Sequence, residues 1–520
     1  MELLARFRRK INASLQQRAA SRNRQLGALA FVRDTKKALA AYSKAAELEP
    51  GDIESWCRLG NLQLRVGELD AASASYGKGL ALARRAGNMA WLAEATSGRG
   101  VLHWMRGDLV LAEDMYTTAR RLFAELGRGD GVAMQYGNLG LLYWTRGDLA
   151  RAEEMLAEAL KLFKALCCEA GVARQHGNLG ILYWTRGDLA RAEAMYAEAL
   201  KLFTALRSKA GIAMQYGNLG LLYWTRGDLA RAEDLFAKAL RLFQELDAKH
   251  GVATQYGNLG MLYWTRGDPT RAEEAYTKAL KLFEELGGKG GSAKQYINLG
   301  FLHQVRGDLV RAGEMYTKAL KLNEELGSKE GMATSYSHWG TFYRKRGDLA
   351  RAGEMYAKAL KLDEELDSKE GMASTCNEWG ILYRTCGDLP RAAEMYAKAL
   401  KLFEALGAKV SMAAVYDEQG VLCRMQGDLA RAGELHTKAL NLYEEAGASG
   451  EGMAEITGNL GMVYQQQGDV AKACAHWRKA RDLWRQIGNP GEVEKFEGLL
   501  REATRPQGAQ PLAPGLDPGG

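Results

Sequence analysis

Residues 130–169 read DGVAMQYGNLGLLYWTRGDLARAEEMLAEALKLFKALCCE, and the fold turns on how this stretch is read. Ahead of Gly147, the residues Tyr136, Leu139 and Tyr143 recur at helical spacing. Beyond it, Leu149, Ala152, Leu156, Ala159 and Leu162 do the same. Both halves therefore read as amphipathic helices. Gly147 suits the left-handed position that closes the first helix, where a Cβ costs energy. Asp148 suits the cap of the second, where a carboxylate accepts backbone N–H groups.

The same glycine returns at 107, 147, 187, 227, 267, 307, 347, 387 and 427, always 40 residues on. Gly67 extends the series backward, and Gly468 extends it forward with one inserted residue. One helix pair cannot bury its own apolar face, so eleven such units are expected to stack into an array. Arg-Gly-Asp falls in this turn seven times, first at 106–108 and last at 346–348. Read as an adhesion signal, it would need its Arg. The turn is instead Cys-Gly-Asp at 386–388, Gln-Gly-Asp at 426–428 and Val-Gly-Glu at 66–68. The glycine persists and the residue before it changes, which is how a helix–turn–helix join behaves; on this reading the Arg is dispensable.

The composition agrees with a helical, folded chain: 47% hydrophobic and 26% charged residues, with only 8 prolines in 520. The first 50 residues hold 11 Lys and Arg against 4 Asp and Glu, which accounts for the whole net charge of +7. The remainder is balanced and carries no general polyanion signal, so nucleic acid is not an expected partner. Seven cysteines without a C-x-x-C pair fit a reducing, cytoplasmic setting without structural disulfides. No apolar run reaches membrane-spanning length. The first 24 residues are basic, and Leu4, Phe7, Ile11 and Leu15 share a helical face. Membrane contact is expected only there, if that helix is not simply a cap.

The pattern Tyr136-Gly137-Asn138-Leu139-Gly140, Tyr143, Gly147-Asp148, Ala152, Leu156, Ala159 resembles the signature of tetratricopeptide repeat proteins. The likeness runs over roughly 35–487. Units of 40 residues look like the longer variety found in kinesin light chains, rapsyn and the G-protein-signalling modulators, where the family norm is 34. The resemblance implies an all-α, right-handed superhelical solenoid of stacked antiparallel helix pairs, with the first helices lining a concave groove. The expected divisions are a basic helical segment at 1–34, the array at 35–487 beginning with an unpaired second helix, a capping helix at 488–503, and a disordered Pro/Gly tail at 504–520. Trp477 and Trp484 are expected to pack where the stack closes.

The resemblance also suggests a site. In that family the groove residue two before the first-helix Gly is often Asn, which bonds the backbone of an extended peptide. Here that position holds Asn138, Asn178, Asn218, Asn258 and Asn298, then His338, Glu378 and Glu418, and finally Asn459. An amide offers a donor and an acceptor, matching a peptide unit; alternatively these residues bridge neighbouring helices. A second series is Trp144, Trp184, Trp224 and Trp264, followed by Gln304, Arg344, Arg384 and Arg424. The indoles could grip apolar side chains or pack between repeats. A change from Trp to Arg points to partial exposure, and to a groove with an aromatic-amide zone and a later mixed-charge zone.

No catalytic or metal-ligating set is found. The seven histidines are scattered, and 287-GGKGG-291 lacks the spacing and the Ser or Thr of a phosphate loop. The expectation is a non-catalytic scaffold or adaptor without cofactor or small-molecule substrate, holding a protein or extended peptide. A peptide-sensing regulator and an accessory subunit of an enzyme complex are the alternatives.

Overall fold

Residues 2–30 and 35–504 are described by the computed structural model, with side chains described from Leu15 onward. All regular structure among them is helical: twenty-five helices, α1 to α25 in chain order. The repeating pair is typified by α7 (Gly129–Thr145) and α8 (Leu149–Ala165). Gly147 takes φ 72, in the left-handed region. The Asp148 carboxylate accepts from Arg151 N at 3.2 Å. The same cap recurs at Asp188, Asp228, Asp268, Asp308, Asp348, Asp388, Asp428 and Asp469. The turn chemistry read from the sequence is the turn chemistry of the fold.

Within each pair the two helices approach closely because the first carries a glycine. A Cβ on Gly180 would stand 2.4 Å from the Tyr196 ring, and one on Gly380 would stand 2.5 Å from Tyr396. The tyrosines are thereby buried, 3% and 0% exposed, and each fills the space between neighbouring pairs.

At the N-terminus, α2 (Thr35–Leu48) is not alone. It packs against α1 (Glu2–Ala30), with Gly27 set against the Tyr42 ring and Arg24 paired to Glu49 at 2.6 Å. A twelfth pair therefore precedes the eleven read from the glycines. The apolar face expected from Leu4, Phe7 and Ile11 lies outside the described side chains, and Leu15 is exposed. At the other end, α24 (Val470–Ile487) and α25 (Pro490–Ala503) close the stack. Trp477 and Trp484 share one buried cluster there with Phe496. The tail after Thr504 lies outside the described residues.

The array coils until it meets itself. A Cβ on Gly67 would stand 2.8 Å from Leu326 Cδ2, one on Gly107 2.5 Å from Leu366 Cδ2, and one on Gly147 2.7 Å from Leu406 Cδ2. Gly187 faces Lys409 and Ala446, Gly227 faces Ser449 and Gly450, and Gly267 faces Asn489. The Gly-Asp rim of the first superhelical turn is thus seated on the second turn. Leu149 and Leu189 are buried in clusters with residues of the 373–456 region. At Gly307, Gly347, Gly387 and Gly427 the rim is open, with nothing within 4 Å of a Cβ.

Candidate functional site

Two series of first-helix residues were expected to line the groove, and the structure places them differently. Asn138, Asn178 and Asn218 line one continuous hollow of about 430 Å³. Its apolar walls include Met134, Leu141, Ile181 and Met214, and Arg174 stands beside them. Met214 is 53% exposed within it.

Of the asparagine series, Asn459 bridges to the preceding repeat, donating to the Asp417 carboxylate at 3.0 Å, whereas four of the others bond within their own helix. Each of Asn138, Asn178, Asn258 and Asn298 donates its amide to a Gln three residues earlier in its own helix, at 3.2–3.4 Å. Those glutamines make the link between repeats instead. Gln175, Gln215, Gln255 and Gln295 are buried, and each amide sits against the Gly of the preceding first helix (Gly137, Gly177, Gly217 and Gly257). This ladder was not anticipated. Its signal was available, because where the Gly becomes Ile297 the next Gln becomes Ser335, a paired exchange of volume.

Trp144, Trp184 and Trp224 stand in the seam between superhelical turns, and Trp264 packs among residues of its own and the next repeat. Each is half-buried, and the indole N–H of Trp144, Trp184 and Trp224 donates to Thr185, Thr225 and Thr265 of the next repeat at 2.9–3.0 Å. Trp144 packs on the cluster holding Leu149 and Leu406, and Trp184 on the one holding Leu189 and Ala446. Trp104, unremarked in the sequence, joins the series through Thr145 at 3.1 Å. Trp264 stacks edge-on against Phe301. The exchange of Trp for Gln304, Arg344, Arg384 and Arg424 falls where the rim ceases to be covered.

Two of these arginines are occupied by charge within the fold. Arg384 reaches Glu418 at 2.9 Å, and Arg344 reaches Glu378 at 3.5 Å. The carboxylates belong to the asparagine position, so the two series expected to bind a partner here bind each other. Arg424 is half-buried at the corresponding place.

Where the two turns meet, a chamber of about 760 Å³ is lined by Trp104, Trp144, Trp184, Glu330, His338 and Glu370 among others. Burial pushes the His338 imidazole down to about 4, so it is neutral near pH 7. Glu330 and Glu370 are exposed to the lumen yet closely walled by protein, and the resulting partial desolvation pushes both carboxyl groups up. Further on, the half-buried Glu451 and the exposed Glu455 are walled in the same way and pushed up to about 7, with neighbouring carboxylates adding to the effect. The lumen thus passes from amides and apolar groups to crowded carboxyl groups.

The join itself makes no use of the Arg of the Arg-Gly-Asp turn, as read from the sequence, but that Arg pairs with a Glu of the preceding repeat, a contact the sequence reading did not include. Arg146 and Tyr143 both bond Glu113 at 2.5 Å; Arg186 and Tyr183 bond Glu153; Arg226 and Tyr223 bond Glu193. Burial raises the Glu113 carboxyl, but the Tyr143 hydroxyl and the Arg146 guanidinium outweigh it and hold the group below its ordinary value. Glu is lost first and Arg one repeat later: Gly313, Gly353, Ala393 and Gly433 replace the Glu, while Arg346 persists opposite Gly313 and the turn residue is then Cys386, Gln426 and Gln467.

Among the described residues no group of three His, Cys, Asp or Glu side chains converges as a metal site would require, and no helix is long and apolar enough to cross a membrane.

Tetratricopeptide repeat models match residues 91–165, 133–205, 211–285, 292–365, 331–405 and 371–445, and two further models of that description match 453–487 and 53–85. No curated protein matches the chain in sequence. Among solved structures, a Rap protein complexed with Competence and Sporulation Factor is 15% identical, with 68% of this chain and 98% of that one covered and a TM-score of 0.48. Yeast Tom70 is 16% identical over 94% and 97%, with a TM-score of 0.39. BtubC (BKLC) from P. vanneervenii is 24% identical over 50% and 99%, with a TM-score of 0.34.

Proposed function

The chain belongs to the tetratricopeptide repeat family, and from that premise we propose that it is a non-catalytic scaffold holding an extended peptide segment of a partner protein in its lumen. The observation that carries this reading is the hollow with Asn138, Asn178 and Asn218 at one-repeat spacing beside Met134, Leu141, Ile181 and Met214. For Asn138 and Asn178 one amide N–H is spent on a glutamine, which leaves the second N–H and the carbonyl oxygen to bond a ligand backbone. The exposed methionine adapts to varied apolar side chains. The reading assigns partner contact to Asn138, Asn178, Asn218, Asn258 and Asn298. It withdraws that role from Trp144, Trp184 and Trp224, which serve the seam, and from Arg344 and Arg384, which are paired with glutamates.

The test is the triple change of Asn178, Asn218 and Asn258 to Ala, after a partner is recovered with the wild-type array. Three net hydrogen bonds of about 0.5–1.5 kcal/mol each predict affinity weaker by roughly 1.5–4.5 kcal/mol with the fold retained. A lowered melting temperature with unchanged affinity would instead make these amides structural.

A further inference from the structure

The seam between superhelical turns has two faces, and each face has an unmated counterpart elsewhere on the same molecule. One face is a ridge formed where second helices end. Leu326, Leu366 and Leu406 belong to it and are 8%, 4% and 3% exposed, because the first-turn rim at Gly67, Gly107 and Gly147 covers them. The same repeat position five repeats earlier holds Leu126, Leu166 and Leu206. These are 38%, 46% and 40% exposed. A row of three leucines at one-repeat spacing therefore stands open on the outer edge of the first turn. Its chemistry is that of a row known to be covered.

The other face is the Gly-Asp rim. In the first turn Leu69, Leu109, Leu149, Leu189 and Leu229 just beyond the glycine are 1–5% exposed. In the second turn the corresponding Leu309, Leu349, Leu389 and Leu429 are only half-buried, and the glycines have open space before them. Met425 on this edge is 52% exposed. One chain thus ends with a free rim and begins with a free ridge.

We infer that a second copy of this chain is the occupant of both surfaces: the open rim of one copy docks on the leucine ridge of the next. The contact repeats between molecules the interface that already joins the two turns within one molecule. Because rim meets ridge rather than itself, the contact is heterologous. It leaves a free face at each end and builds open head-to-tail assemblies rather than a closed dimer. The rim of the second turn carries Arg344, Arg384 and Arg424 where the internal seam carries tryptophans, so the joint between copies lacks the indole packing and is the weaker of the two. Association is accordingly concentration-dependent.

The experiment is sedimentation velocity on the full chain across a concentration series, with two variants. The ridge variant is Leu166→Glu with Leu206→Glu. The rim variant is Ala350→Glu with Ala430→Glu, at exposed positions whose counterparts Ala150 and Ala190 line the internal seam. The wild-type chain is expected to show a rising weight-average mass. Each variant alone is expected to stay monomeric with an unchanged helical spectrum. The two mixed are expected to form a one-to-one dimer, since each retains the face the other has lost. A monomer at every concentration overturns the inference. So does association that the ridge variant leaves intact, or a mixture that fails to pair.

Discussion

The Ser449 hydroxyl donates to the backbone carbonyl oxygen of Arg226, across 223 positions of sequence. Asn489 reaches the Thr265 carbonyl in the same way, at 3.5 Å. These bonds tie the loops of the second superhelical turn to the Gly-Asp rim of the first. An ordinary repeat array contacts only its neighbours, and its stability is a sum of local terms. Here a long-range term is added, and it changes what a mutation in the turn should do.

Gly147 and Gly347 have nearly the same backbone, with φ 72 and 79. Gly347→Ala should cost only the left-handed conformation, about 1–2 kcal/mol. Gly147→Ala should add overpacking of about 1–3 kcal/mol, because its Cβ would meet Leu406 at 2.7 Å and Lys369 at 3.0 Å. Urea unfolding measures both. Small-angle scattering should also show an enlarged radius for Gly147→Ala alone. Equal costs and equal radii would mean that the seam contributes nothing.

Arg226 and Arg346 occupy the same place in two Arg-Gly-Asp turns but have different surroundings. Arg226 meets Glu193 at 2.6 Å, with side chains 24% and 36% exposed. Arg346 has Gly313 where that Glu would be, and lies over the Phe342 ring. Arg226→Gln should cost about 0.5–1 kcal/mol and Arg346→Gln close to nothing. A double-mutant cycle with Glu193→Gln should assign the difference to the pair. Loss of identical size at both sites would make the turn arginine generic.

The helix pair, its glycine turn and its Asp cap were legible in the sequence because they are local: periodicity, one left-handed residue and one carboxylate fix them. The seam was not, because superhelical pitch sums small rotations over many repeats and no short window contains it. Its trace was nonetheless present, as the position of Trp144 and Trp264 turns to Gln304 and Arg344 where coverage ends. The tie of Arg226 to Glu193 was missed for a similar reason. The partner lies one repeat upstream, and only the loss of Glu at Gly313, followed one repeat later by that of Arg at Cys386, betrays it. Of the candidate site, the asparagine positions were read as groove residues, and their glutamine tether was not read at all.

Trp184→Arg copies what position 384 carries, at a place where the rim is covered. It removes the bond to Thr225 and sets a guanidinium beside Leu189 and Ala446. Arg384 is tolerated because Glu418 answers it. At the position corresponding to Glu418, the repeat after Trp184 offers Asn218. Loss of about 2–4 kcal/mol is expected, from lost packing and an unanswered charge. Trp184→Phe should recover most of it. Measured melting that ranks Arg with Phe would place the indole outside the seam.

Asp363 is 5% exposed at a repeat position that holds Phe163, Phe283 and Phe403 elsewhere. Burial pushes its carboxyl up to about 6; the Thr375 hydroxyl works against this, and Glu330 adds to it. An unfolded Asp titrates near 3.9, so the folded chain binds this proton more tightly than the unfolded chain does. The stabilising contribution is therefore complete below about pH 4 and is lost as pH rises through about 6. Above that, a buried carboxylate burdens the fold by on the order of 2–3 kcal/mol. The preceding repeat shows the remedy: Asn323 sits at the same position and donates to Gly331 O at 2.9 Å and to Ser335 Oγ at 3.0 Å. Asp363→Asn should thus stabilise the protein at pH 7.5 and change little at pH 4. Its urea midpoint should also be flatter between those limits than that of the wild-type chain. A stability gap of the same size at both pH values would show that the aspartate is not titrating in the fold.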